Sequence, residues 1–321
     1  MLLLSRFGSM RSIERGAAAT ALRRRCVITG IVATFVLFNT SGCAILGRRG
    51  QSAEVESTAR ELSRQGVAAL EAGQPQQAEE LLKKSLAASP NDATAHRYMA
   101  EALWRRGASE EALSQIAEAI RLDPTSAALA VRAGEMSLAG SLRDDAGAYA
   151  ERAIRLDPKL ANAWALRGQY FLQMKQSDRA LADLQRAIEL SPNNSELLLE
   201  VASIYRQRGE NARCLTAIYH LLDTYPPGEE PQSVLVMQGL TLMDLGRPQQ
   251  ATDAFLGAIQ HGPPSADLCF YLAQSYSAAG RTADATAAAQ RALAINGAHG
   301  PSRQLLAQLA SRSATVLQQR R

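Results

Sequence analysis

The stretch ANAWALRGQYFLQMKQSDRALADLQRAIELSPNN, residues 161–194, reads as two short helical segments closed by a proline. Trp164, Gly168 and Phe171 mark the first segment, Ala180, Leu184 and Ala187 the second, and Pro192 ends the unit. Outward from it, prolines return at Pro90, Pro124, Pro158, Pro192 and Pro226, each 34 residues after the last. A fixed period of this length marks stacked helical units, because a two-helix unit cannot bury its apolar face alone and must lean on its neighbours.

The same residue types fill the other units. Gly66, Ala78, Leu82 and Pro90 form one, and Met99, Ala100, Leu103, Gly107, Ala112, Ile116, Ala119 and Pro124 the next. Val201, Ala202, Tyr205, Gly209, Ile218 and Pro226 follow, after which Pro227 to Pro231 shift the register. The pattern resumes at Gly239, Leu242, Gly246, Ala251, Phe255, Ala258 and Pro263, then at Ala273, Tyr276, Gly280, Ala285, Ala289, Ala292 and Gly297. Small residues at these sites let helices approach closely. The weakest unit holds Gly134, Ala146, Ala150, Ala153 and Pro158; Ser137 replaces its aromatic residue and Ser141 its inter-helix glycine, leaving Gly140 to serve the turn.

Ser109, Ser177 and Thr282 are expected to cap second helices, and Asn91-Asp92, Thr125-Ser126 and Asn193-Asn194-Ser195 first helices. Pro75 and Pro248 suit a first helical turn.

This pattern resembles the tetratricopeptide repeat, W-x2-L-G-x2-Y followed by A-x3-F and a proline. The resemblance implies an all-α, right-handed superhelical solenoid of about seven helix hairpins over residues 57–299. The units fall near 59–92, 93–126, 127–160, 161–194, 195–228, 232–265 and 266–299. Residues 300–321, with Leu305, Leu306, Leu309, Val316 and Leu317 at helical spacing, are expected to form a cap helix.

Residues 1–42 have the layout of a secretory signal peptide: Arg23-Arg24-Arg25, an apolar run from Cys26 to Phe38, then small and polar residues. Ser41-Gly42-Cys43 resembles the lipobox of bacterial lipoproteins, with Thr40 departing from the usual leucine, and makes Cys43 the expected lipidation site. Residues 43–56 would then be a tether. An uncleaved anchor is the alternative, since Cys26 to Gly47 carries no charge, although Asn39 to Gly42 interrupts the run. Either way the basic residues stay inside and the repeats face the periplasmic side of the cell envelope.

Charge must be located before it is interpreted. The chain has 35 basic and 31 acidic residues, but six arginines and one glutamate precede Cys43, leaving 29 and 30. No nucleic-acid partner is expected from that balance. Cys214 falls at the alanine offset of the fifth unit and Cys269 at the tryptophan offset of the seventh; both read as small core residues, with a whole repeat between them, too far for a disulfide. His96 takes a tryptophan offset and is expected to pack with one hydrogen bond, while His220, His261 and His299 sit near helix ends or turns and are expected in solvent. No metal-ligand spacing, nucleophile elbow or phosphate loop occurs, so neither metal, cofactor, small-molecule substrate nor catalytic residue is expected. Glu79-Glu80, Glu110-Glu111 and Asp144-Asp145 suit the macrodipole at second-helix starts.

In the repeat family, first helices line the concave side through their second, fifth, ninth and twelfth offsets. Carried onto this chain, the resemblance assigns the groove to Arg97, Glu101 and Trp104, then Val131, Glu135 and Leu138, then Asn162, Gln169 and Leu172. Leu199, Ser203 and Arg206 follow, then Val236, Leu240 and Met243, then Phe270, Gln274 and Ser277, with Trp104 and Phe270 as anchors. The lysine and asparagine clamp of chaperone-binding relatives is replaced by Ser63 with Val67 and Arg97 with Glu101, which argues against chaperone tails. The expected function is a non-catalytic, membrane-tethered scaffold that binds a protein or peptide partner during assembly of a cell-envelope complex. The alternatives are a homo-oligomeric structural component, or an accessory subunit of a glycosyltransferase-type or pilus/secretion system.

Overall fold

The computed structural model describes residues 54–140 and 143–319, with side chains over 54–140 and 145–311. The leader, Cys43 and the tether as far as residue 53 lie outside the described residues, as do Ser141 and the Asp144 side chain. The described residues form fifteen α-helices and no strand. They divide into two compact units, the first ending at Arg106 and the second beginning at Gly107.

The first unit holds α1 (54–71), α2 (Pro75–Ala88) and α3 (Ala93–Arg105). Glu54 to Glu56, assigned to the tether, are already helical. Ala59 and Leu70 of α1, Ala78 and Leu82 of α2, and Ala95, Met99 and Leu103 of α3 are buried. Polar groups tie the same surfaces: Ser85 Oγ donates to the Ala59 carbonyl at 2.8 Å, and Arg105 reaches the Leu70 carbonyl at 2.8 Å. Buried Glu79 meets both Lys83 and Arg106.

The second unit opens with α4 (Ser109–Leu122) and continues as five hairpins. These are α5 (Ala127–Ala139) with α6 (Arg143–Leu156), α7 (Ala161–Gln173) with α8 (Ser177–Leu190), and α9 (Ser195–Gln207) with α10 (Asn211–Leu222). Then come α11 (Gln232–Asp244) with α12 (Pro248–Gln260), α13 (Ala266–Ala278) with α14 (Thr282–Ile295), and finally α15 (Gly300–Gln319). Each hairpin's second helix also packs on the next first helix, and first helices meet across repeats, as α5 does α7 and α11 does α13. Helix α15 touches α14 and α13 in the way α13 touches α12 and α11. It takes the place of a first helix, and its Leu305 and Leu306 pack on the core.

The proline period has a local cause. A proline disfavours the helical region for the residue before it, and Ser89, Asp123 and Ser191, each preceding a proline, sit at ψ 81°, 83° and 77° and terminate α2, α4 and α8. The chain then re-enters a helix through an extended residue, whose side chain caps α3, α5, α9 and α13 but not α7, after Leu160, or α11, after Pro231. Asp92 accepts from the Thr94 and Ala95 amides, Ser126 from Leu129, Asn194 from Glu196 and Leu197, and Ser265 from Leu268.

Second helices start differently, which corrects the expected caps. Ser109, Ser177 and Thr282 are the first helical residues, and the residues before them, Ala108, Gln176 and Arg281, make no side-chain cap. The preceding turn is the reason. After α9, Gly209 at φ 71° lets the Glu210 amide reach back to the Tyr205 carbonyl at 2.9 Å, a C-terminal motif that places the next helix immediately. Gly140, expected to supply such a turn, has φ −79° and uses none of glycine's freedom.

Small residues act as a volume code between paired helices. The eighth offset reads Gly66, Ala100, Gly134, Gly168, Ala202, Gly239 and Ala273, all buried. In α11 and α12, a Cβ on Gly239 would stand 2.4 Å from the Phe255 ring, and in α7 and α8 one on Gly168 would stand 2.8 Å from Leu184 Cγ. Phe255 and Leu184 have no exposed surface and nowhere to move. Gly239→Ala is therefore expected to cost up to about 2 kcal/mol, ~1–3 kcal/mol of overpacking less the ~1 kcal/mol that alanine gains in a helix. Gly257→Ala, whose Cβ would meet only Leu235 at 3.8 Å, should stabilise. Shifts of the same sign in thermal melts of the two variants would refute the close approach.

Candidate protein-binding groove

The inner surface of the second unit is built from first helices, and two adjoining recesses run along α5, α7 and α9. One, of about 460 Å³, is lined by Glu135 of α5, Asn162, Ala165, Leu166 and Gln169 of α7, and Glu196, Leu199, Glu200 and Ser203 of α9. The other, of about 420 Å³, lies between Leu138 and Ala139 of α5 and Leu172 and Gln173 of α7, and shares Glu135, Gln169 and Glu200 with the first. A third, of about 510 Å³, is formed by Arg206 of α9, Leu240, Met243 and Asp244 of α11, Tyr271, Gln274 and Ser277 of α13, and Leu305 and Gln308 of α15.

The expected groove residues are thus brought together in part. Glu135, Leu138, Asn162, Gln169, Leu172, Leu199 and Ser203 meet in the first two recesses, and Arg206, Leu240, Met243, Gln274 and Ser277 in the third. Val131 lines none of these three recesses: it is 5% exposed and packs with Ala146, Ala150 and Leu166 in the core. Val236 packs half-buried on the core beside Leu240. The Phe270 ring lies against Tyr271 and edge-on to His299, 5.5 Å away, and the aromatic rings lining the third recess are those of Phe255 and Tyr271. Arg97, Glu101 and Trp104 belong to the first unit. There Arg97 lies over the Tyr98 ring, Glu101 pairs with Arg105 at 2.8 Å and Trp104 is half-buried.

Two carboxylates were missed. Glu196 occupies the second offset, already a groove position in the repeat pattern, whereas Glu200 sits at the sixth and becomes a groove residue only because Gln169 of the preceding repeat leans on it, Nε2 to Oε2 at 3.3 Å. Burial raises the Glu200 carboxyl above the ordinary carboxylate value; the Gln169 hydrogen bond works against the rise and Glu196 adds to it. Glu135 is paired with Arg132 at 2.9 Å.

The remaining polar residues are structural. Trp164 Nε1 donates to the Pro158 carbonyl at 2.9 Å, and His96, at the same offset, meets the Pro90 carbonyl at 3.0 Å. Arg167 forms a double hydrogen bond to buried Asp183 at 2.7 and 2.8 Å beneath Trp164. Cys214 and Cys269 are free, buried thiols whose ionisation burial opposes.

His299 departs from the expected solvated histidine. It is 9% exposed, accepts the Ser302 amide at Nδ1, contacts Ser302 Oγ through the same nitrogen at 2.8 Å, and reaches Asp267 through Nε2 at 3.0 Å. The Ser302 hydroxyl is fully buried, so this chain of bonds caps the start of α15 and ties it to α13.

The fold and the groove define a helical-hairpin repeat protein whose inner face is open to a partner. Tetratricopeptide repeat profiles match residues 63–127, 161–194 and 236–301, just over half of the chain. The chain belongs to the tetratricopeptide repeat family, whose members are generally protein-interaction scaffolds.

Among solved structures it is similar to the C-terminal part of a repeat-containing protein from Cytophaga hutchinsonii, at 14% identity and TM-score 0.63 over 76% of this chain and 98% of that one. It is also similar to a tetratricopeptide repeat protein from Parabacteroides merdae, at 16% identity and TM-score 0.52 over 79% and 99%. At these identities the likeness is one of fold. No curated protein matches the chain.

Glu200→Gln keeps the shape and the acceptor while removing a charge that burial disfavours, so the variant should melt above wild type at neutral pH. The wild-type penalty holds while Glu200 is ionised and fades as pH falls through its raised value toward the ordinary carboxylate range, so the Tm difference should shrink over that window. Melts followed by circular dichroism at stepped pH test this; a less stable variant at neutral pH would contradict it.

Proposed function

We propose that this chain is a non-catalytic scaffold, tethered to a membrane at Cys43 on the periplasmic side of the cell envelope, that holds a protein partner along its inner groove during assembly of an envelope complex. The observation that carries the reading is the pair of adjoining recesses across α5, α7 and α9, a surface spanning three successive repeats. It mixes apolar side chains, Leu138, Leu172 and Leu199, with carboxamides and hydroxyls, the composition that suits an extended peptide held by apolar contacts and hydrogen bonds. The tether rests on the basic, apolar and Ser41-Gly42-Cys43 succession of the leader.

A photo-crosslinking amino acid placed at Leu199 in cells should trap one discrete protein, and one placed at exposed Arg186 on α8 should not. A partner trapped equally from both positions would move the contact off the groove. A band at twice the chain's own mass would replace the scaffold with a homo-oligomer. Palmitate labelling should be lost in Cys43→Ala; equal labelling would remove the lipid tether from the proposal.

A further inference from the structure

The three recesses are not alike in charge. Among the described residues no lysine, arginine or histidine lines the two recesses along α5, α7 and α9, whereas Glu135, Glu196 and Glu200 do. The third recess is mixed, with Arg206 and Asp244. The negative character is therefore confined to one stretch of the groove.

Glu200 also stands apart from the other sequestered carboxylates. Glu79 meets Lys83 and Arg106, Asp183 holds Arg167, Glu101 holds Arg105 and Glu135 holds Arg132. Half-buried Glu200 has Gln169 beside it and, among the described residues, no cation within ion-pair distance. A carboxylate removed from water without a compensating charge costs stability until a cation arrives.

The chemistry of that cation follows from the layout. Glu135 comes from α5, two repeats before Glu196 and Glu200 of α9, and no group of three acidic, histidine or cysteine side chains among the described residues could hold a metal ion. Charge spread along a trough, with Asn162, Gln169 and Ser203 interleaved, matches a cation carried on a chain. The adjoining floor of Leu138, Ala139 and Leu172 would take an apolar neighbour of that cation.

We propose that the α5–α7–α9 stretch recognises a basic segment of its protein partner, an extended peptide that sets one lysine or arginine beside Glu200 and an apolar side chain against Leu138 and Leu172. This rests on the groove reading above and specifies what the groove selects. Electrostatic complementarity of this kind sets specificity and register more than total affinity.

The test is selection of a displayed library of random peptides, each about a dozen residues long, on the purified full chain. The enriched peptides should carry lysine or arginine at one fixed position with an apolar residue close by. Their affinity should fall by about tenfold in Glu196→Gln/Glu200→Gln, and replacing the lysine by norleucine should then have little further effect. Circular dichroism of the isosteric variants controls for folding. Enriched peptides without a fixed basic position, or basic peptides indifferent to both glutamine substitutions, would overturn the proposal.

Leu172→Arg separates the two readings. Peptides lost in Leu172→Arg but indifferent to the glutamine substitutions would leave the groove standing and remove its basic preference. Peptides that bind Leu172→Arg as tightly as wild type would remove the groove itself. A selection that enriches nothing would overturn both.

Discussion

The structure depends on the inability of any one hairpin to bury its own apolar face. Within the second unit α6, α8, α10, α12 and α14 are each flanked by two first helices, and the residues at the crossing points have almost no exposed surface: Ala146, Ala180, Cys214, Ala251 and Ala285 are all 0% exposed. Such close contact requires side chains no larger than the gap, because interiors are packed to crystal-like density and a single methyl group is felt. The low aromatic content, 5% of the chain, follows from the same demand. A core assembled from narrow helical seams has little room for rings, and Phe255 is accommodated because Gly239 faces it.

This constraint explains what could be read from sequence. Gaps between helices are set by geometry that repeats every hairpin, so Gly168 with Leu184 and Gly239 with Phe255 recur at fixed offsets. Pro90, Pro124 and Pro192 recur because each ends a helix through the residue before it, as Pro192 does through Ser191, whereas α10 already stops at Leu222, ahead of Pro226. The equivalence of His96 with Trp164 was legible for the same reason: both rings reach the carbonyl of the proline six residues earlier. Where the repeat weakens, so did the reading. Gly140 lies in the unit that has lost its aromatic residue, and its φ of −79° is not the positive φ of Gly107, Gly209, Gly246 and Gly280.

The groove was legible as a surface and only partly as a set of residues. An offset rule states which way a residue leans from its own helix, but not what the neighbouring repeat does with it. Val131 leans inward and is covered by its neighbours, whereas Leu199, at the same offset two repeats on, is 37% exposed. Phe270 is taken up by His299, a residue of the segment that enters α15 and follows no repeat. Glu200 becomes a groove residue through Gln169, 31 positions earlier, and no within-repeat pattern encodes that contact.

A division of labour follows within each hairpin. The eighth offset of the first helix is held to glycine or alanine because its Cβ direction points into the partner helix, and a change there opens the seam. The fifth offset carries Arg97, Val131, Ala165, Leu199, Val236 and Phe270, from a cation to an aromatic ring, and the helices pack around all of them. Stability and recognition therefore draw on different faces of the same helix. A partner can be selected by changing groove-facing positions without disturbing the stack, which is how one repeat geometry supports many partners. Glu200 lies at the border of the two faces, close enough to the seam to lose water and open enough to meet a ligand. On the proposed reading, a charge there weakens the fold slightly when the groove is empty and strengthens binding when a cation fills it.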